Sequence, residues 1–138
     1  MNMGELNHDV IRECNDGVSL SKGIHSMTAY FGAGPIVKAL EMGADIVVTG
    51  RTADSAMALA PCMHNLGWAP QDFDKLAMGS LAGHLIECGG QATGGLFTDW
   101  HEVPGYENLG FPIVEVSSNG DIEVTKPPQT GGLLNKYV

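Results

Sequence analysis

The chain is short of positive charge. Its 138 residues carry seven Lys and Arg against sixteen Asp and Glu, a formal net charge of −9. Binding along a phosphate backbone requires clustered cations that release condensed counterions. Here the cations are scattered, and Arg12 and Arg51 are the only arginines, so nucleic acid and membrane surfaces are not expected as partners. Long hydrophobic runs are missing too. None approaches the roughly 20 apolar residues that cross a bilayer, and no basic start leads into an apolar stretch of the export type. The expected location is cytoplasmic. Cysteine is sparse: Cys14, Cys62 and Cys88 make an odd number without C-x-x-C spacing, which fits reduced thiols rather than a disulfide framework.

Glycine, in contrast, is plentiful at 19 residues, many in pairs or beside apparent strand ends. That placement suggests tight backbone turns rather than low complexity. The length fits one α/β domain over residues 1–138 with a true core. Residues 1–23 form a polar lead-in containing the turn signal Asn15-Asp16-Gly17.

The richest stretch is Ala44-Asp45-Ile46-Val47-Val48-Thr49-Gly50-Arg51-Thr52-Ala53-Asp54. A β-branched run enters a polar turn, and a helix follows from about Ala53. A similar unit precedes it. Residues 24–31 alternate as a strand, Gly32-Ala33-Gly34-Pro35 turns, and Ile36, Val37, Ala39, Leu40 and Met42 line a helix that Gly43 ends. Two parallel strand–helix units are predicted, with both strand-to-helix loops opening on one sheet edge, where α/β folds place ligands. Pro61 interrupts the second helix, expected to kink it or shift its register, and Gly67 closes it. Asp72 is the expected N-cap of a third helix carrying Leu76, Leu81, Leu85 and Ile86. Asn119-Gly120 between alternating residues predicts an antiparallel hairpin, and Pro127-Pro128 stops its second strand.

Several groups have chemical potential. Arg51 can clamp a carboxylate or phosphate through its planar fork, with Thr49 and Asp54 beside it. Structural alternatives are a cap by Thr52 and a plain Arg51–Asp54 pair. Gly32 and Gly34 open a helix whose N–H groups can face an anion, although the full dinucleotide fingerprint and a P-loop lysine are both missing. His84, Glu87, Cys88 and Gln91 share one helical face. His84 could activate the Cys88 thiolate, but buried free cysteine is commonly structural, and two ligands on one helix do not make a metal site. Asp99 and His101 point the same way if they lie on a strand, with Trp100 as a pocket wall. Covering a core edge is the simpler role for that tryptophan.

Beyond these local patterns, the order and spacing of several blocks resemble the acyclic terpene utilisation family. The blocks are Ala29-Tyr30-Phe31-Gly32-Ala33-Gly34-Pro35-Ile36-Val37, the stretch from Gly43 to Asp54, Gly83-His84-Leu85-Ile86-Glu87-Cys88-Gly89, and Gln91-Ala92-Thr93-Gly94-Gly95. Phe97-Thr98-Asp99-Trp100, Gly110-Phe111-Pro112-Ile113 and Thr130-Gly131-Gly132-Leu133 continue the match, which spans about residues 24–133. The resemblance implies a role in the breakdown of acyclic terpenoids such as citronellol and geraniol, which proceeds through acyl-CoA thioesters. It implies no particular reaction, cofactor or catalytic set. The expected ligand is a small anionic or acyl-CoA-type metabolite bound by Gly32, Gly34, Thr49, Arg51 and Asp54, with His84, Cys88 and Asp99 as catalytic candidates. The alternatives are a non-enzymatic assembly or binding subunit and a truncated homologue without activity. Family proteins are several times longer, so the chain resembles an internal portion. Apolar surface normally covered by the rest would then favour a homo-oligomer.

Overall fold

The computed structural model describes residues 25–26 and 28–136. Helix α1, Gly34–Glu41, carries Pro35 in its first turn, where an N–H would have no helical partner. Gly43, at φ 86°, turns the chain out of it. Helix α2 is Ala56–Leu66. It starts later than the sequence pattern suggests because the residues before it are engaged elsewhere: the Ala53 N–H donates to the Phe31 carbonyl at 2.8 Å. The helix continues through Pro61, which has no N–H to give the Met57 carbonyl. Gly67 closes it in the left-handed conformation. Ala56 and Ala60, one turn apart, are buried with Ala33 and Ile36, and Val37, Leu40, Val47, Leu59 and Met63 pack around them. Small side chains on α2 thus let α1 lie close.

Helix α3, Phe73–Cys88, follows Asp72 as expected, but the Asp72 side chain does not cap it. That carboxylate instead accepts the Ala69 N–H at 3.1 Å and meets Lys75 at 3.5 Å. The helix packs on α2 through two buried glycines. A Cβ at Gly83 would stand 2.7 Å from the Ser55 carbonyl oxygen and 2.9 Å from its Cα. A Cβ at Gly79 would stand 2.8 Å from both Leu59 Cδ1 and the Trp68 ring. Trp68 is 4% exposed. Its indole N–H donates to the Ser118 carbonyl at 2.9 Å, tying the α2–α3 connection to the hairpin.

That hairpin is where the Asn119-Gly120 pair predicts it. Strand β1, Ile113–Val116, pairs antiparallel with β2, Ile122–Thr125, with Val114 opposite Val124. The Asn119 side chain holds Asp121, and Gly120 takes φ 98°. The segments before and after the hairpin wind around Thr93, which has no exposed surface. Its hydroxyl donates to the Gly110 carbonyl at 2.7 Å, with the Gly90 carbonyl also in reach, and its own carbonyl accepts the Leu133 N–H at 2.9 Å.

The fold is therefore mixed α/β, but the two predicted strand–helix units do not carry a parallel sheet among the described residues. Of the predicted strand 24–31, Ile24 and Met27 lie outside the described residues. The rest contributes one parallel bridge, Phe31 to Thr52. Residues 46–49 make no main-chain hydrogen bond among the described residues. Ile46 is 84% and Val48 92% exposed. A β-branched run becomes a strand only when a neighbour supplies the ladder, and none of the described segments supplies one to residues 46–49.

The Gly83 approach generates a prediction. In an open helix, Gly→Ala stabilises by about 0.5–1 kcal/mol. Here the new methyl meets backbone, and overpacking typically costs about 1–3 kcal/mol. Gly83→Ala is expected to lower the urea midpoint at unchanged slope; a raised midpoint would show that α3 can move off Ser55 at little cost.

Candidate functional site

The two loops singled out from the sequence do converge. The Phe31 N–H donates to the Arg51 carbonyl at 3.3 Å, and the Phe31 carbonyl accepts from Ala53. These bonds hold the start of the 32–34 loop against the 49–54 turn. Thr52 forms the bridge to Phe31 rather than a helix cap, and Ser55 occupies the N-cap position of α2. A Cβ at Gly32, Gly34 or Gly50 would meet nothing within 4 Å, and none of the three has a positive φ. Neither crowding within the fold nor backbone strain therefore calls for glycine at Gly32 and Gly34; both face open space beside the uncapped start of α1.

Arg51 lies in the turn that these bonds hold. Its guanidinium lies above the Tyr30 ring, 4.9 Å from the centroid, in cation–π geometry. Its pKa is raised, first by its contact with the Tyr30 side chain, with Asp54 and Glu87 contributing. Neither carboxylate forms a direct ion pair with it; among the described residues the ion pairs are Lys38–Glu41 and Lys75–Asp72. The Arg51–Asp54 pair, the structural alternative to a ligand clamp, is thus a longer-range attraction rather than a contact, and the guanidinium edge is open to a ligand. Glu87 reaches this neighbourhood from α3, whose Gly83 rests on Ser55 and brings the next turn toward Arg51. The sequence reading placed Glu87 on a helix face without linking it to Arg51. The sequence signal is Gly83, one turn before Glu87, which marks the side of α3 that meets another backbone. Thr49 lines a neighbouring groove of about 190 Å³ together with Ile36, Leu40, Asp45, Val47, Met57 and Pro61.

The catalytic candidates are not joined to one another by hydrogen bonds among the described residues. His84 is exposed and Cys88 half-buried at the end of α3. Gln91 leaves their shared face, because Gly89, at φ 59°, ends the α-helix and a 3₁₀ segment Gly89–Thr93 follows. Asp99 and His101 are not on a strand. Trp100–Glu102 is a 3₁₀ turn, so the same-side argument for this pair fails. The His101 ring instead meets Trp100 edge-on at 6.2 Å, Trp100 meets Tyr106 at 6.0 Å, and the Tyr106 hydroxyl donates to the Gly95 carbonyl at 2.8 Å. No described hydrogen bond joins His84 to Cys88 or Asp99 to His101. Among the described residues no three His, Cys, Asp or Glu gather as metal ligands. Nor is any helix there long and apolar enough to cross a membrane.

With this geometry established, the family model described as acyclic terpene utilisation family protein AtuA matches residues 3–137. The chain belongs to that family. It has no significant match among curated proteins or solved structures.

Burial pushes the Cys62 thiol pKa up. A raised pKa leaves less thiolate at neutral pH than in a free cysteine, and the thiolate is the nucleophile. Alkylation of Cys62 by iodoacetamide, followed by peptide mass spectrometry, is expected to be slower than that of free cysteine at pH 7. It should accelerate through a higher pH midpoint. A rate equal to free cysteine across the profile would show that burial does not control this thiol.

Proposed function

We propose that this domain binds a small anionic or acyl-CoA-type metabolite of acyclic terpenoid breakdown at the surface formed by Gly32, Gly34, Thr49, Arg51 and Asp54. The observation that carries this reading is the Phe31 bridge, which sets two glycine-containing loops side by side, one of them bearing Arg51 with its guanidinium over the Tyr30 ring. Three features favour an anion there. The start of α1 has no side-chain cap and projects partial positive charge. The open glycines let a ligand approach the main chain. Arg51 is positioned by Tyr30 without being consumed by a direct carboxylate contact. The neighbouring groove, apolar except for Asp45 and Thr49, offers a place for an acyl chain. In this reading the segments ending at Phe31 and Thr49 act as the strands of two parallel strand–helix units once a neighbour completes their ladder.

A second reading is a binding or assembly subunit without its own chemistry. It is favoured by the lack of hydrogen bonds joining His84, Cys88 and Asp99 to one another among the described residues. If the domain does catalyse, these residues are the candidates, and the substrate must span from Arg51 toward α3.

The test is calorimetric titration of acyl-CoA and of inorganic phosphate into the wild type and Arg51→Ala. A charged hydrogen bond contributes about 1.5–3 kcal/mol, so Arg51→Ala is expected to weaken acyl-CoA binding by roughly tenfold or more. Equal affinities would remove Arg51 from the site. Absence of binding to both proteins would sink the ligand reading and leave the assembly role.

A further inference from the structure

The segment 45–49 has a strand's side-chain pattern without a strand's partner. Asp45, Val47 and Thr49 line one groove, whereas Ile46 and Val48 lie on the other side, almost fully exposed. This is the period-two alternation of a β-strand. The main-chain donors and acceptors of 46–49 make no hydrogen bond among the described residues. An open edge bearing adjacent exposed β-branched residues is a template for another strand.

We propose that the edge at 45–49 pairs antiparallel with the same segment of a second copy of the chain, about a two-fold axis at Val47. The sequence Asp45-Ile46-Val47-Val48-Thr49 is self-complementary in that register. On the open face Ile46 stands opposite the second copy's Val48, and Val48 opposite its Ile46, so four β-branched side chains cover one another. On the groove face Val47 meets its counterpart. Asp45 meets Thr49, whose hydroxyl donates to the carboxylate, so the register never sets one Asp45 against the other. Like charges directly opposite in a ladder are destabilising, and with a net charge of −9 per copy an arrangement that avoided no carboxylate clash would not persist. Isologous pairing of this kind closes on itself, giving a dimer rather than a fibre. Five paired residues fall short of the roughly 1,600 Å² of a stable complex, so the dimer forms in the high micromolar range.

Asp45, Val47 and Thr49 also line the groove of the proposed ligand surface, so the pairing is tested without ligand, by sedimentation equilibrium of the full chain up to high micromolar concentration. Each substitution acts twice across the axis. Thr49→Asp sets carboxylates opposite Asp45 and is expected to weaken dimerisation by roughly three- to thirtyfold, while Thr49→Lys strengthens it by a similar factor. Val48→Lys, at a site already exposed in the single chain, abolishes the dimer, and circular dichroism confirms that each variant is folded. A wild type that stays monomeric overturns the proposal. So does an oligomer whose strength is the same in all three variants, which would place the interface elsewhere. If Thr49→Asp and Thr49→Lys shift the equilibrium in the same direction, the two-fold register at Val47 is wrong.

Discussion

The approach of α3 to the start of α2 sets the position of the rest of the molecule. Backbone can lie this close to backbone only where no side chain intervenes, and Gly83 provides that gap over Ser55. Ser55 is the residue from which α2 departs, so the contact locates the helix, the turn before it and the arginine in that turn. It also sets the direction of α3, and through it the path into the buried Thr93 cluster. Helices joined through alanine and glycine have little side-chain interdigitation to absorb a shift. Their relative position is therefore tightly defined, although each element buries little apolar area.

What was legible in the sequence follows from how local each decision is. Pro35, Gly43, Gly67 and the Asn119-Gly120 pair act through the conformations of one or two residues, and each has the structural consequence its chemistry predicts. The family resemblance was legible as well, since ordered blocks of residues do not depend on any one element assignment. The strands at 24–31 and 46–48 were legible only as a tendency. Their β-branched pattern states what would pair and cannot state whether a neighbour is present. Asp72 shows the same limit on a smaller scale: it sits one residue before α3, yet Ala69 and Lys75 take its carboxylate.

The candidate site divides along the same line. Convergence of the 32–34 and 49–54 loops could be anticipated from chain topology, because two successive loops at the same end of parallel segments share an edge. The Arg51–Tyr30 stack and the proximity of Glu87 could not, because they depend on side-chain direction and on the crossing of α3 over α2. The Asp99–His101 idea failed for a simple reason. It assumed a period of two in a segment that instead coils into a 3₁₀ turn beside Tyr106, and three residues per turn send residues i and i+2 to different sides.

The Thr93 cluster has a mechanical meaning of its own. Main chain from Gly90, Gly110 and Leu133 is tied to one residue shielded from solvent. The stretch between Gly95 and Leu109 leaves that knot and returns to it, pinned midway by the buried Val103 and by the Pro104 carbonyl, which accepts the Gly132 N–H, with Leu96, Trp100 and Tyr106 on its surface. A protease cutting this loop would sever the chain without untying it. The two products would stay associated through Thr93 and through the Pro104–Gly132 and Asn108–Gly131 bonds, and separate only when the whole cluster opens.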